Sequence, residues 1–296
     1  DKMMGKEMLS RFAFEDMTMM RELNFDMNNH LFNNKESYFS IGSSVSSPMA
    51  FKGDNGSNSR YSLSSKSDGV WFIGLGVAFT DIRSDDDNDN NSRSDTMYQM
   101  IMPIGYKVAG FHLMTSPRLG YARGSYDRIG FNDKSYDGTI EKRIFGLMNE
   151  ARYPIALGNW KFEPAVEFNA LGYEQKGWEE KKEFSLNIPT QRTYSVESGI
   201  GLYVTHQREL NKDSKFKFTA GMAAYHEFAD PYKVDVGMNG LSGHFTLRDE
   251  NRSDNRAVAR TGFEFNRKDY SLTGSFISYI DREVRTKANL GFKWKF

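Results

Sequence analysis

Three acidic residues at alternate positions are the first candidates for chemistry in this sequence. Asp85, Asp87 and Asp89 have the spacing of the first ligands of a calcium-binding loop. However, Asn90 stands where such a loop needs glycine, and Thr96 stands where it needs a bidentate glutamate. We therefore interpret this segment as a solvated loop, and we expect no metal and no cofactor.

The five histidines could serve as metal ligands or general bases, but their spacing favours neither role. No two of them have the helical spacing of metal ligands, and they occupy positions 30, 112, 206, 226 and 244. An Asp/His protease site could be assembled from His226, Glu227, Asp230 and His244 together with the acidic run at Asp85, although nothing in the spacing requires it. The chain has no Cys and no G-x-S-x-G turn, so we predict no enzymatic activity.

The composition excludes several classes of protein. The 296 residues include 39 Lys+Arg and 39 Asp+Glu, and this zero net charge argues against a nucleic-acid partner. The sequence contains no stretch of about 20 consecutive apolar residues, which excludes a helical membrane protein. Aromatic residues make up 14% of the chain, too many for a disordered protein. The chain begins at Asp1 without a signal peptide, so we expect either a cytosolic protein or one whose upstream segment has been removed.

The elements that would position these residues are one helix and a long series of strands. Apolar residues, many of them Met, recur at helical spacing through residues 2–31. From Phe39 to the last residue the period changes to two. We therefore assign residues 1–34 to a helix and linker, and residues 35–296 to one all-β domain.

Twelve runs of alternating apolar and polar residues make up the β part. They lie near 37–46, 58–66, 70–82, 96–107, 110–123, 139–153, 159–173, 191–207, 215–229, 254–266, 270–281 and 284–296. Most of them exceed ten residues. Strands of soluble proteins have about 5–6 residues, whereas a tilted membrane strand needs about 9–11. The run lengths therefore favour strands that cross a membrane.

The links and the polar faces of these runs indicate a membrane barrel rather than a soluble sandwich. Short links alternate with long polar ones at 47–57, 83–95, 124–138, 174–190 and 230–253, and only 281–283 breaks the rule. Lys, Arg and Glu occur in mid-strand, as in a wet lumen. Aromatic residues at strand ends suggest an interfacial girdle of Trp71, Tyr98, Tyr106, Trp160, Tyr173, Tyr194, Tyr270 and Trp294. The sequence predicts a closed outer-membrane β-barrel of about 12 antiparallel strands.

The last three runs, the pair Glu163-Pro164 and the helix ahead of the first strand resemble the C-terminal translocator domain of autotransporters, the self-exporting surface proteins of Gram-negative bacteria. The resemblance implies a monomeric outer-membrane protein that exports and anchors its own upstream passenger without ATP. It also implies contacts with outer-membrane lipid or lipopolysaccharide and with the barrel-assembly machinery, for which Phe296 resembles the recognition signal.

The resemblance further implies that the helix threads the lumen. Its charged residues would then meet pore-lining residues. The helix charges are Lys6, Arg11, Glu15, Asp16, Arg21 and Glu22, and the pore-lining residues are Arg118, Glu150, Arg152, Glu163, Glu167, Glu197, Arg260 and Glu264. Some members of the family cleave the passenger at an Asn-Asn pair in this helix. The candidates here are Asn28-Asn29 and Asn33-Asn34, although both pairs lie closer to the first strand than the cleaved pair of the family. Local hydrogen bonding at a helix end or in a loop is the alternative role of these residues.

Two other functions stay open at this point. The barrel could be a small porin-like channel whose lumen is never closed, or an outer-membrane barrel protease built on His226 and Asp230. A comparison of conductance with and without residues 1–34 separates the channel from the exporter.

Overall fold

The computed structural model of this chain is a ring of strands with a helix inside it. The structure describes residues 9, 12–13, 16–18, 20–21, 37–48, 56–86, 91–129, 135–180, 185–240, 242–248, 253–280 and 284–295. The strands in these residues are β1 (Tyr38–Pro48), β2 (Gly56–Ser67), β3 (Trp71–Asp86), β4 (Asn91–Ile101), β5 (Ile104–Val108), β6 (Phe111–Ile129), β7 (Ser135–Arg152), β8 (Ile155–Leu157), β9 (Trp160–Gln175), β10 (Trp178–Glu179), β11 (Leu186–Ile188), β12 (Gln191–Asn211), β13 (Ser214–Glu227), β14 (Lys233–Met238), β15 (His244–Arg248), β16 (Asn255–Arg267), β17 (Tyr270–Ile280) and β18 (Val284–Lys295).

The barrel wall is a closed antiparallel ring of 12 strands. Each strand pairs with its neighbours in the ring, and β5 and β8 are short continuations of β4 and β7 after a break. The ring closes where β1 pairs with β18, from Tyr38 opposite Lys295 to Pro48 opposite Arg285. Closure leaves no strand edge in hydrocarbon, where each unpaired backbone group would cost several kcal/mol. The predicted outer-membrane barrel is confirmed.

Apolar side chains point outward and charged ones inward. On β9, Val166 is 56% exposed while Glu163 is fully buried. On β16, Phe263 is 38% exposed while Arg260 is 9% exposed. A soluble sandwich would show the opposite arrangement, because its apolar face packs in a dry core.

The predicted girdle is wrong for one aromatic residue. Tyr173 is buried inside the barrel, and its hydroxyl donates to Oε1 of Gln175 at 3.0 Å. Its position on β9 differs from that of Trp160 by an odd number of residues, so the two side chains lie on opposite faces. Trp160, Tyr194 and Trp294 are exposed on the outer face as predicted.

The long polar links are more ordered than predicted. β3, β4, β6 and β7 extend into the segments 83–95 and 124–138, which we had expected to be loops. The segments 174–190 and 230–253 contain a second sheet in the order β10-β11-β14-β15, which we call the mouth sheet. These two expectations were wrong because polar alternation also suits strands that protrude into water, where neither face needs to be apolar.

The N-terminal helix lies inside the barrel. Its described residues are helical and buried, and they are Leu9, Phe12, Ala13, Asp16, Met17, Thr18, Met20 and Arg21. We call this segment α1. No helix in the described part of the chain is long and apolar enough to span a membrane. Several predicted site residues lie outside the described part of the chain, namely Lys6, Arg11, Glu15, Glu22, Asn28, Asn29, Asn33, Asn34 and the terminal Phe296.

Candidate functional site: the lumen around the helix

One side of α1 packs against an apolar stretch of the lumen. Ala13, Met17 and Met20 form a buried cluster with inward side chains of β3, β4, β6, β7 and β9, namely Ile82, Met97, Ala122, Ile144, Leu171 and Tyr173. Gly120 on β6 permits this approach, since a Cβ there would lie 3.3 Å from Sδ of Met20. The helix therefore rests on one wall of the barrel rather than standing free in water.

A charge cluster around Asp16 fixes the middle of α1. Nζ of Lys142 on β7 lies 3.1 Å from Oδ2 of Asp16, and the Arg93 guanidinium on β4 donates to the same carboxylate. Arg93 also donates to Asp95 through Nε at 2.6 Å, and Lys142 contacts Asp95 as well. Two cations thus balance two carboxylates, and all four side chains are fully buried. The ring of Phe12 covers both cations, at 4.5 Å from Arg93 and 4.7 Å from Lys142.

A second charge cluster surrounds Arg21, one helical turn further along α1. Nε of Arg21 lies 3.2 Å from Oε1 of Glu197 on β12, and Nη2 lies 3.5 Å from Oε2 of Glu227 on β13. Arg21 also donates to Ser195, whose hydroxyl donates to Glu227. Arg256 on β16 binds Glu197 from the other side, at 2.7 Å. Two cations and two carboxylates again balance, so the burial of Arg21 leaves no net charge in this cluster.

A third contact is made to the backbone of α1. Nη1 of Arg118 on β6 donates to the carbonyl oxygen of Met20 at 2.5 Å. Arg118 is buried and also donates to Ser116 at 3.5 Å. A buried guanidinium on a backbone carbonyl makes a charge-assisted hydrogen bond, so Arg118 fixes the backbone of α1 as the two clusters fix its side chains.

The mouth sheet covers the first described residues of α1. Leu9 and Phe12 lie in a buried cluster whose other members come from the mouth sheet and the adjacent ends of β6 and β7: Tyr126, Ile140, Leu186, Ile188, Val234, Val236 and Leu247. Arg128 on β6 binds Glu180 with two parallel hydrogen bonds of 2.8 and 2.6 Å. Glu180 in turn accepts the backbone N–H of Leu186 at 2.6 Å, which ties the sheet to the barrel rim.

Only two of the eight predicted pore-lining residues contact the described part of the helix. Of the eight pore-lining candidates, all of which face inward, Arg118 and Glu197 contact described residues of α1. The other six contact one another or the wall nearer the short turns. Arg152 donates to Glu150 at 2.5 Å, and Lys161 lies 3.0 Å from Glu163. Arg260 donates to the hydroxyl of Tyr225 at 3.1 Å, and this hydroxyl donates to Glu167 at 2.9 Å. Lys293 donates to Glu264 at 2.6 Å.

Sequence reasoning identified Asp16 as a helix charge that would meet the lumen wall, but it missed Asp16's partners Arg93 and Lys142 and the adjacent Asp95. Arg93 and Asp95 fell in a segment that we had interpreted as a loop. The sequence nevertheless indicated which face of the strand they occupy, because both alternate with Met97 and Gln99 and so share the inward face of β4. Extending the alternation backwards from Met97 would have found them.

The protease arrangement is not assembled among the described residues. His226 lies on the outer face, where its ring packs on Phe228 at 4.7 Å and its Nδ1 lies 2.9 Å from Asn255. Glu227 points into the lumen toward Arg21, and Asp230 pairs with Arg248 at 3.2 Å. In the part of the chain that the structure describes, no group of three or more His, Asp or Glu residues could hold a metal ion.

Comparisons with known proteins agree with this architecture. Residues 60–276 match the family model described as Autotransporter beta-domain. The fold is similar to the translocator domain of the autotransporter NalP from Neisseria meningitidis, with a TM-score of 0.70 and 10% identity over 97% of this chain and 99% of that one. It is also similar to the β domain of the Bordetella autotransporter BrkA (TM-score 0.65, 14% identity, 89% of this chain and 100% of that one) and to the transport unit of AIDA-I from Escherichia coli (0.58, 12%, 89% and 91%). No curated protein matches the sequence.

Proposed function

Because this chain belongs to the autotransporter β-domain family, and so inserts into the bacterial outer membrane and exports a passenger, we propose that α1 closes its lumen once export is complete. The observation that carries the proposal is the match of charges between helix and wall. Asp16 faces two wall cations, and Arg21 faces two wall carboxylates. A helix that crossed the lumen only in transit would need no such complementarity.

The lumen chemistry supports both passage and closure. Polar side chains along the inner face keep the bore wet, so a hydrated chain can pass without entering lipid. When α1 comes to rest, its two charges meet partners of opposite sign. While the helix fills the lumen and excludes water, leaving either set of partners unpaired would cost about 3–5 kcal/mol. Export and closure thus use the same inward faces and require no ATP and no covalent chemistry.

The remaining parts of the function follow from the family. We propose that the barrel is a monomer surrounded by outer-membrane lipid, including lipopolysaccharide. We also propose that the barrel-assembly machinery recognises the terminal Phe296 of the barrel. We expect the barrel to bind no nucleic acid. We keep Asn28-Asn29 as the candidate cleavage site and residues 1–34 as the pore-threading segment.

The conductance of single barrels in planar bilayers tests the closure. The full chain should pass little current, and the chain lacking residues 1–34 should show a large, steady increase. Equal, steady currents from the two proteins would reject the plug and favour the porin-like channel.

A further inference from the structure

Four basic residues lie together on the outer surface of the barrel at the mouth-sheet end. They are Arg123 on β6, Arg143 on β7, Lys176 directly after β9, and Arg192 on β12. Each arginine lies two residues from an exposed aromatic side chain on the same outer face: Tyr121, Phe145 and Tyr194, respectively. The cations therefore lie just beyond the apolar band, at the level of lipid headgroups.

Strand register makes these residues neighbours. Arg123 is opposite Glu141, and Glu174 is opposite both Arg143 and Arg192. Glu174 accepts a hydrogen bond of 2.8 Å from Nε of Arg192, and Glu141 accepts one from Lys176.

The cluster carries a surplus of positive charge. Two carboxylates against four cations leave a formal excess of two positive charges. Within the described part of the chain, Arg123 and Arg143 form no ion pair. Both are exposed, so their guanidinium groups are available to an anion from outside the barrel.

A groove of about 900 Å³ on the outer wall leads up to this cluster. It crosses the wall from Leu75 on β3 to Arg192 on β12, and Ala170 and Gly172 on β9 give it a shallow floor. Leu119, Phe145, Leu147, Tyr194 and Val196 line its sides. The groove is therefore apolar along its length and ends at Glu174 and Arg192.

We infer that this face binds one phosphorylated, acylated lipid of the outer leaflet, with an acyl chain in the groove and a phosphate on Arg123 and Arg143. The inference rests on the outer-membrane location, because the long-link end of such a barrel faces the cell exterior. A phosphate monoester carries about −1.5 to −2 charges at pH 7, which matches the surplus of two. Arginine can bind phosphate through two parallel hydrogen bonds, which supplies selectivity beyond simple charge.

Native mass spectrometry of the full chain in detergent tests the site. The probe is a hexa-acylated glucosamine disaccharide carrying two phosphates, compared with the same lipid after removal of both phosphates. The wild-type barrel should retain one phosphorylated lipid in preference to the dephosphorylated one. The Arg123→Gln/Arg143→Gln variant should lose roughly tenfold or more of this binding, because both guanidinium groups that would bind the phosphate are removed.

Matched variants separate the site from general surface charge. Arg60→Gln/Arg83→Gln removes two exposed outer cations from β2 and β3 and should leave binding unchanged. Ala170→Phe fills the floor of the groove and should weaken binding while leaving the cations in place. Faster migration of the unheated barrel in SDS gels verifies that every variant is folded.

Four results would overturn the inference. The first is equal retention of the phosphorylated lipid by wild type and the Arg123/Arg143 variant. The second is equal binding of the two lipids, which would show that the groove accepts any acyl chain. The third is loss of the lipid on addition of inorganic phosphate together with no effect of Ala170→Phe, which would reduce the site to an anion site. The fourth is retention of a second barrel in place of lipid.

Discussion

At the scale of single residues, buried charge determines where α1 can rest. Asp16, Arg93, Asp95 and Lys142 are fully buried, and each carboxylate contacts both cations. Such a cluster tolerates burial only while its charges balance, because the cost of removing ions from water is repaid by their mutual attraction. The position of the helix is thus set by a few long side chains rather than by helix propensity.

Neutralising Asp16 should release the helix. Asp16→Asn leaves Arg93 and Lys142 sharing one carboxylate, so we expect a destabilisation of the closed state by about 3–5 kcal/mol and frequent openings in single-channel recordings. Adding Lys142→Met to Asp16→Asn removes the excess cation and should restore most of the closure.

An exposed carboxylate on the same strand as Lys142 provides the control for this prediction. Asp137→Asn on the outer face of β7 should leave the recordings unchanged. If the Asp16→Asn/Lys142→Met barrel opened as often as the single variant, charge balance would not be what holds α1.

At the scale of elements, the mouth sheet and the barrel are held by different interactions. The barrel strands are paired in a closed ring, whereas β10, β11, β14 and β15 pair only with one another. The mouth sheet contacts α1 through Leu9 and Phe12, and it is attached to the rim by its apolar contacts with Tyr126 and Ile140 and by the Arg128–Glu180 pair. We therefore expect that the mouth sheet can unfold without opening the barrel wall.

A charge in the mouth sheet should unfold it selectively. Val236 on β14 is fully buried, so Val236→Asp places an unpaired carboxylate in an apolar cluster. We expect rapid proteolysis within 229–253 on intact cells, while the barrel keeps its resistance to SDS.

Lys233→Asp is the matched control, because it places a carboxylate at an exposed position of the same strand. This variant should be cleaved slowly. Loss of SDS resistance in the Val236→Asp protein would show instead that the mouth sheet and the ring fold as one unit.

At the scale of the whole molecule, the main feature is that the apolar side chains of the barrel face outward, where lipid would contact them. The outer wall exposes a continuous apolar band, and Ile200, the most exposed of its large side chains at 69%, lies midway along the outer face of β12. The inner wall holds the charges. In water this arrangement would expose an apolar surface far larger than monomeric soluble proteins carry.

A lysine at mid-height of this band should be costly. Ile200→Lys is expected to destabilise the barrel by about 2–4 kcal/mol in urea unfolding from lipid vesicles. Thr139→Lys, also exposed and outward but near the mouth end of β7, should cost roughly 0–1 kcal/mol. If the two lysines had the same effect, the outer face would be surrounded by water rather than lipid.

Much of this architecture was readable from the sequence because it depends on local periodicity. Alternation along each run determines which side chains share a face, and closure follows because hydrocarbon tolerates no unpaired edge. The twelve strands, the inward charges at Glu163 and Arg260, and the outward aromatics at Trp160 and Trp294 are all consequences of this parity.

Only the tertiary structure decided which inward charges meet the helix. Asp16 contacts side chains of both β4 and β7. Arg21 contacts Glu197 of β12 and Glu227 of β13, and Glu197 also binds Arg256 of β16. Two links that are far apart in sequence combine into the mouth sheet. Such contacts depend on strand register, on the closure of the ring and on the rotation of the helix within it. A local pattern carries no information about these quantities, because one period of alternation is compatible with many registers.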